Sequence, residues 1–244
     1  MAYRERPAGV PGVVLWERSV RAGPARSRIL PDGCLDLIWD GRQLTVAGPD
    51  LVARWHDSPE GTAYTALRFH AGTGPAALGV PASGLAGLSP ALDEVWASAA
   101  ARRLAGRIAD DPAGPAAALE AWVAGAVAAG DGVDPIGPRV HAMAGRGVPV
   151  AAMADRLGLS ERQLRRRCLP LFGYGPRRLA RILRMNRALA AALDGRPLAD
   201  VAFGCGYADQ AHLSREWRRL ADCTPGEWQQ EMLAFVQSRT GDRG

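Results

Sequence analysis

Arginine is the residue through which this 244-residue sequence is best equipped to do chemistry. All 30 of its basic residues are arginine. Two stretches, "SERQLRRRC" (160–168) and "DQAHLSREWRR" (209–219), carry them at helical spacing. Turned at 100° per residue, the first puts Leu164, Cys168 and Leu171 on one face. Arg162, Arg166 and Leu169 lie opposite, flanked by Gln163 and Arg165. The second puts Leu213, Trp217 and Leu220 on one face. Ala211, Arg215 and Arg218 lie opposite, flanked by His212 and Ser214. A guanidinium can bond both acceptors of a guanine edge or neutralise a phosphate. One such helix is ordinarily a solvated surface. Two with the same face pattern argue for a shared polyanionic partner.

The elements that must hold these faces are themselves repeated. "VPVAAMADRLGLSERQLRRRCLPLFG" begins at Val148, and "RPLADVAFGCGYADQAHLSREWRRLA" begins at Arg196. Each opens with a short alanine-containing helix and reaches a glycine, Gly158 or Gly206. A second helix then starts, for which Ser160 or Asp209 can cap the freed amides. This is a helix-turn-helix layout. Helices are expected near 135–145, 149–157, 160–171, 176–194, 197–204, 208–220 and 225–237. Ahead of them, segments 12–20, 28–41, 43–50 and 63–72 read as strands punctuated by Gly, Pro and Asp. Alanine-rich helical segments follow from Pro90 to about residue 129, with Ser89 as N-cap and Pro90 as first helical position. "AGDGVDPIG" (129–137) marks the boundary. Charge changes sign across it: 12 Arg face 15 Asp and Glu in residues 1–134, whereas 18 face 10 in residues 135–244. The basic half suits a polyanion.

"VAFGCGYADQAHLSREWRRLADCTPGEW" (201–228) resembles the signature of AraC/XylS-type transcription regulators, and the resemblance spans about 110 residues. It rests on the Ala202…Gly206-Tyr207 turn, the Asp209-Gln210 opening, the Ser214-Arg215 pair and the Thr224-Pro225…Trp228 close. Leu179 to Leu193, with Arg184 and Ala188, resembles that family's linker helix. Leu213 and Trp217 stand where phenylalanine is usual, and both keep the position apolar. The resemblance implies two helix-turn-helix units whose second helices enter successive major-groove segments of double-stranded DNA, about 34 Å apart. Arg162, Arg165 and Arg166 would then read bases from the first unit, and Gln210, Ala211 and Arg215 from the second. Gln163 flanks the first set. His212, Ser214 and Arg218 suit backbone contacts, and Arg166 and Arg215 lead the two sets.

The fold class expected is α+β. A β-rich, cupin-like N-terminal domain with trailing helices (1–130) precedes an all-α domain of two helix-turn-helix units on a long linker helix (135–240). "RILPDGCLDLIWDG" and "VAGPD" resemble an uncharacterised domain found ahead of some AraC-type DNA-binding domains. In similar regulators such a domain senses a small molecule or dimerises. Candidate ligand groups are Cys34, Asp36, Trp39, His56, Arg68 and His70. Trp39 reads more readily as core than as a stacking platform, and Cys34 as packing rather than a sensing thiol. Alternation in Cys34–Trp39 is imperfect and leaves the inward face open. Cys34, His56 and His70 have no zinc-motif spacing, so no metal is expected. "GTGPAA" (72–77), with Glu94 downstream, mimics a dinucleotide loop, but Pro75 has no amide and no parallel βαβ series follows, so no cofactor is expected. Gly204-Cys205-Gly206 is a turn. Of Trp96, Leu104, Trp122 and Val127, most are expected to cover the β-unit rather than form a dimer surface.

The four cysteines, Cys34, Cys168, Cys205 and Cys223, form no C-x-x-C pair and are expected to be reduced and buried. No apolar run spans a membrane, and "MAYRERPAGV" lacks a secretion-signal pattern, so a cytoplasmic, non-enzymatic regulator is expected. RNA polymerase is a partner if it activates, and a homodimer is a candidate state. Two rivals remain: a DNA-repair methyl acceptor, which lacks its cluster of metal-binding cysteines here, and a regulator that acts only through protein partners.

Overall fold

The computed structural model describes residues 2–20, 23–70, 72–130, 132–228 and 230. The front half pairs β1 (Ala2–Pro7), β2 (Val13–Ser19), β7 (Ala63–Phe69), β4 (Leu35–Trp39) and β5 (Leu44–Ala47), in that order, into one antiparallel sheet. A second sheet pairs β3 (Ala25–Ile29) with β6 (Arg54–Ser58). The sequence expectation finds β2, β4, β5 and β7. It passes over β1 and β6 and joins the end of β3 to β4, because "AYRERP" and "RWHDS" alternate charge with bulk and read as polar loops.

Alternation in the large sheet settles which face is which. Val13, Leu15, Leu35, Leu37, Trp39, Leu67 and Phe69 enter one core, beneath helices. Trp16, Arg18, Asp36, Ile38, Tyr64 and Arg68 point the other way and line a cavity between the two sheets. The helical cover consists of α1 (Gly74–Leu78), α2 (Leu92–Val95), α3 (Ser98–Asp110) and α4 (Pro115–Ala129). Leu104, Ile108, Leu119 and Val123 complete the core, with Trp96, Trp122 and Val127 packed on its edge. "GTGPAA" is absorbed into the start of α1.

The Ser89–Pro90 helix start is corrected. The Leu88 and Pro90 carbonyls accept from Gly48 and Val46 and extend the strand ladder, so α2 begins after Ala91. Trp96 then adopts extended backbone and gives its indole N–H to the Leu78 carbonyl at 2.8 Å, which separates α2 from α3.

The second half contains α5 (Ile136–Gly145), α6 (Val150–Arg156), α7 (Glu161–Phe172), α8 (Pro176–Leu193), α9 (Leu198–Gly204) and α10 (Gln210–Ala221). Each falls within two residues of its expected bounds. Of the helix expected at 225–237, residues 225–228 and 230 are helical, and the rest lies outside the described residues. α8 is the spine: Leu179, Ile182, Met185 and Ala188 share a core with Leu164 and Cys168 of α7 and Leu213 and Trp217 of α10. Trp217 is wholly buried, a contribution of about 3 kcal/mol by area.

The halves meet at several backbone groups. Arg28 of β3 donates to the carbonyls of Ala221 (3.0 Å) and Asp222 (2.8 Å), at the end of α10. Ala53 N–H donates to Leu220 O at 2.6 Å. Arg178 of α8 donates to Leu51 O at 3.1 Å.

Candidate nucleic-acid interface and ligand cavity

The two turns are built alike. Gly158 and Gly206 have φ of 65° and 75°, in the left-handed region. Each closes a Schellman motif: Gly158 and Leu159 donate to Asp155 and Ala154, and Gly206 and Tyr207 donate to Phe203 and Ala202. Ser160 Oγ accepts from Gln163 N–H at 3.2 Å, and Gln163 Oε1 accepts from Ser160 N–H at 2.8 Å, a complete capping box. Asp209 Oδ1 accepts from His212 N–H at 2.6 Å, and His212 Nδ1 accepts from Ala208 N–H at 3.2 Å. Gln163 and His212 therefore spend acceptor atoms on helix starts. The sequence pattern signals the caps but not the return bonds.

Leu164, Cys168, Leu213, Trp217 and Leu220 are buried, while Arg162, Gln163, Arg165, Arg166, Gln210, Ala211, Arg215 and Arg218 are exposed. His212 and Ser214 are half-buried. Neighbouring arginines are spoken for: Arg167 pairs with Asp134 at 2.9 Å and Arg177 with Glu161 at 3.0 Å. Arg165 lays its stem over Gly175, where an added Cβ would meet Cγ at 3.3 Å. Arg162, Arg166 and Arg215 make no hydrogen bond or ion pair with another described residue.

α8 braces the second unit. Arg184 donates to Gly206 O at 3.2 Å, stacks 4.3 Å from the Tyr207 ring centroid and bonds Glu216 at 2.5 Å. Arg181 pairs with the same carboxylate at 3.0 Å. Glu216 is buried. Sequence reasoning missed it because its charge reads as surface, although its position, three after Leu213 and four before Leu220, turns it toward the apolar side.

The cavity between the sheets has a volume of about 920 Å³. Cys34, Asp36, His56 and Arg68 line it; Trp39 and His70 do not. Trp39 shares its odd-numbered face with Leu35 and Leu37 and lies in the helix-covered core. His70 sits behind Cys34, Nδ1 3.1 Å from Sγ. His56 is elsewhere, 3.4 Å from the Tyr64 hydroxyl, and no group of three side chains suited to a metal ion forms among the described residues. Burial, reinforced by Asp32 and Asp36, pushes the Cys34 thiol well up, which keeps it protonated.

Arg68 donates to both oxygens of Asp36, at 3.0 and 3.1 Å, with Asp32 at 3.8 Å. Burial alone would lower its pKa; the two carboxylates outweigh that and raise it. Burial lifts Asp50 to about 6 even though Arg54 is 2.9 Å away. Trp16, Arg18, Trp55 and Trp228 also line the space and were not expected there. For Trp16 and Arg18 the signal was available: both stand at even positions of β2, opposite in facing to Val13 and Leu15.

The paired turns, braced second helices and arginine faces define a double helix-turn-helix DNA-binding unit. Residues 153–231 match the family model for a helix-turn-helix domain, and residues 13–90 match a domain of unknown function, DUF6597. The chain thus carries an AraC-type helix-turn-helix DNA-binding domain behind a DUF6597 domain. No curated protein matches it. Among solved structures it is similar to ToxT from Vibrio cholerae O395 at 9% identity and a TM-score of 0.44, covering 93% of this chain and 96% of that one. It is similar also to ToxT bound to an unsaturated fatty acid (strain SCE256), at 11% identity and a TM-score of 0.43, covering 89% and 94%. Among the described residues no helix is long and apolar enough to cross a membrane.

Proposed function

We propose that this chain is a cytoplasmic, non-enzymatic regulator of transcription that reads DNA bases with Arg162, Arg165 and Arg166 from α7 and with Gln210, Ala211 and Arg215 from α10. His212, Ser214 and Arg218 support it on the sugar-phosphate backbone, and Gln163 flanks the first set at the DNA face. The carrying observation is that two repeated units each bury an apolar side against α8 while leaving Arg162, Arg166 and Arg215 exposed. Functional domains of 1–130 and 135–240 accord with the two separate cores. An activator of this kind engages RNA polymerase, and a homodimer would juxtapose two such domains.

The cavity is the effector site in this reading, with Cys34, Asp36, His56 and Arg68 on its wall. It opens onto Trp228, past the end of α10, and Arg28 joins its β3 wall to the last carbonyls of that helix. A bound molecule thereby acts on the second DNA-reading unit at short range. The methyl-acceptor alternative needs an activated thiolate; all four cysteines are buried and burial pushes Cys168 up to about 12.

Genomic binding-site selection with the purified protein tests the DNA reading. Two short elements about 10 base pairs apart are expected. Recovery of no enriched motif would overturn it.

A further inference from the structure

We propose that the cavity binds an organic monoanion with a flat apolar body, and that Arg18 holds its acid group. This rests on the cavity being the effector site.

β2 brings Arg18 to the cavity face directly after Trp16. Arg18 stands opposite Tyr64 in the β2–β7 register, and Ser27 stands opposite His56 in the β3–β6 register. A hydrogen bond from Arg18 Nη2 to Ser27 Oγ, 2.9 Å, joins the two pairs across the sheets. The result is one pocket end with a guanidinium, a hydroxyl, a phenol and an imidazole.

Arg18 differs from every other arginine lining the cavity. Arg68 has Asp36 at 3.0 Å, Arg54 has Asp50 at 2.9 Å, Arg26 has Asp57 at 3.6 Å and Arg28 has Asp222 at 3.9 Å. Arg18 has no carboxylate within ion-pair distance among the described residues, and its Nε is sealed from solvent without a partner. A guanidinium stays charged at neutral pH, so removing it from water without a counter-charge is costly. A ligand anion against the cavity side of the guanidinium supplies that missing counter-charge. Burial also disfavours the charged form of His56, which leaves a neutral ring able to share a hydrogen bond with the ligand.

Trp16, Ile38 and Trp55 supply apolar wall beside this end, two of them as planar rings. Farther along, Asp36 and Asp32 share the one charge of Arg68, so a second acid group on the ligand would meet excess negative charge. The site therefore selects one acid group, not two.

The test uses the full chain and isothermal titration with 2-naphthoate, 2-naphthamide and naphthalene-2,6-dicarboxylate. Naphthoate should bind at least tenfold more tightly than the amide, and the dicarboxylate more weakly than naphthoate. Arg18→Met should reduce naphthoate to the amide's affinity and leave the amide unchanged; Arg18→Lys should restore part of the preference. Equal affinity for acid and amide in the unmodified protein overturns the proposal without need of a variant, as does a preference that survives Arg18→Met. If the amide binds and the acid does not, the effector cavity stands and the anion assignment falls. If none of the three binds, both fall.

Discussion

Glu216 shows how much one side chain can settle in the DNA-binding half. It is the common partner of Arg181 and Arg184, so its loss leaves two guanidiniums on α8 competing in a partly dry site. Glu216→Gln is expected to cost about 2–3 kcal/mol, discounted for the solvent that reaches both arginines. Burial on its own would raise the Glu216 pKa, but the Arg184 hydrogen bond and the fields of Arg181 and Arg184 outweigh it and hold the carboxyl below its ordinary 4.5. A depressed folded pKa means stabilisation above the unfolded value that disappears as pH falls through the folded one. Urea denaturation of both proteins should show the full gap at neutral pH and a shrinking gap below about pH 4.5. Arg215 is the opposite case, exposed and unengaged within the fold. Arg215→Ala should leave stability nearly unchanged yet cost about 1–3 kcal/mol on a selected site and relax base preference at one position. Unchanged affinity across site variants would count against a base contact.

At the scale of elements, the helix-turn-helix units were legible because everything that defines them is local. A glycine, a cap three residues before its amide partner and an apolar period of 3.6 all fall within one 26-residue window. Gly206 isolates the backbone contribution, since an added Cβ there meets nothing within 4 Å. Gly206→Ala should therefore destabilise by about 1–2 kcal/mol through the left-handed backbone alone, and Gly206→Asn by less. Equal thermal midpoints for all three proteins would show the turn to be unstrained. The strands were less legible. Among the described residues β3 and β6 pair only with each other, and their charges are met by a cross-strand partner (Arg26 with Asp57), a loop neighbour (Arg54 with Asp50) and, for Arg28, the distant end of α10. Short polar strands of this kind have no signal that separates them from loops.

Across the whole molecule, the cavity and the end of α10 share a boundary made of Arg28, Trp55 and Trp228. Arg28 stacks 4.4 Å from the Trp55 ring centroid while bonding the Ala221 and Asp222 carbonyls. Arg28→Ala should release the end of α10 from β3 with little effect on either core. Hydrogen exchange should then speed up at residues 220–223 and remain as in the parent protein in α7. Protection unchanged at 220–223 would mean that the Ala53–Leu220 bond suffices to hold the halves together.

The sequence by itself determined the double helix-turn-helix arrangement, its capping residues and the arginine faces opposite the apolar ones, because those features depend on backbone geometry over a few turns. The cavity was a tertiary decision. A strand has two faces and a period of two, so "CLDLIW" is equally consistent with Trp39 inside or outside the cavity; only the helices packed on Leu35, Leu37 and Trp39 assign that face to the core and turn Asp36 and Ile38 toward the cavity. The isolation of Arg18 among paired arginines was likewise invisible: only Asp50 stands close in sequence to its arginine, Arg54, whereas Asp36, Asp57 and Asp222 are delivered by sheet register or domain contact.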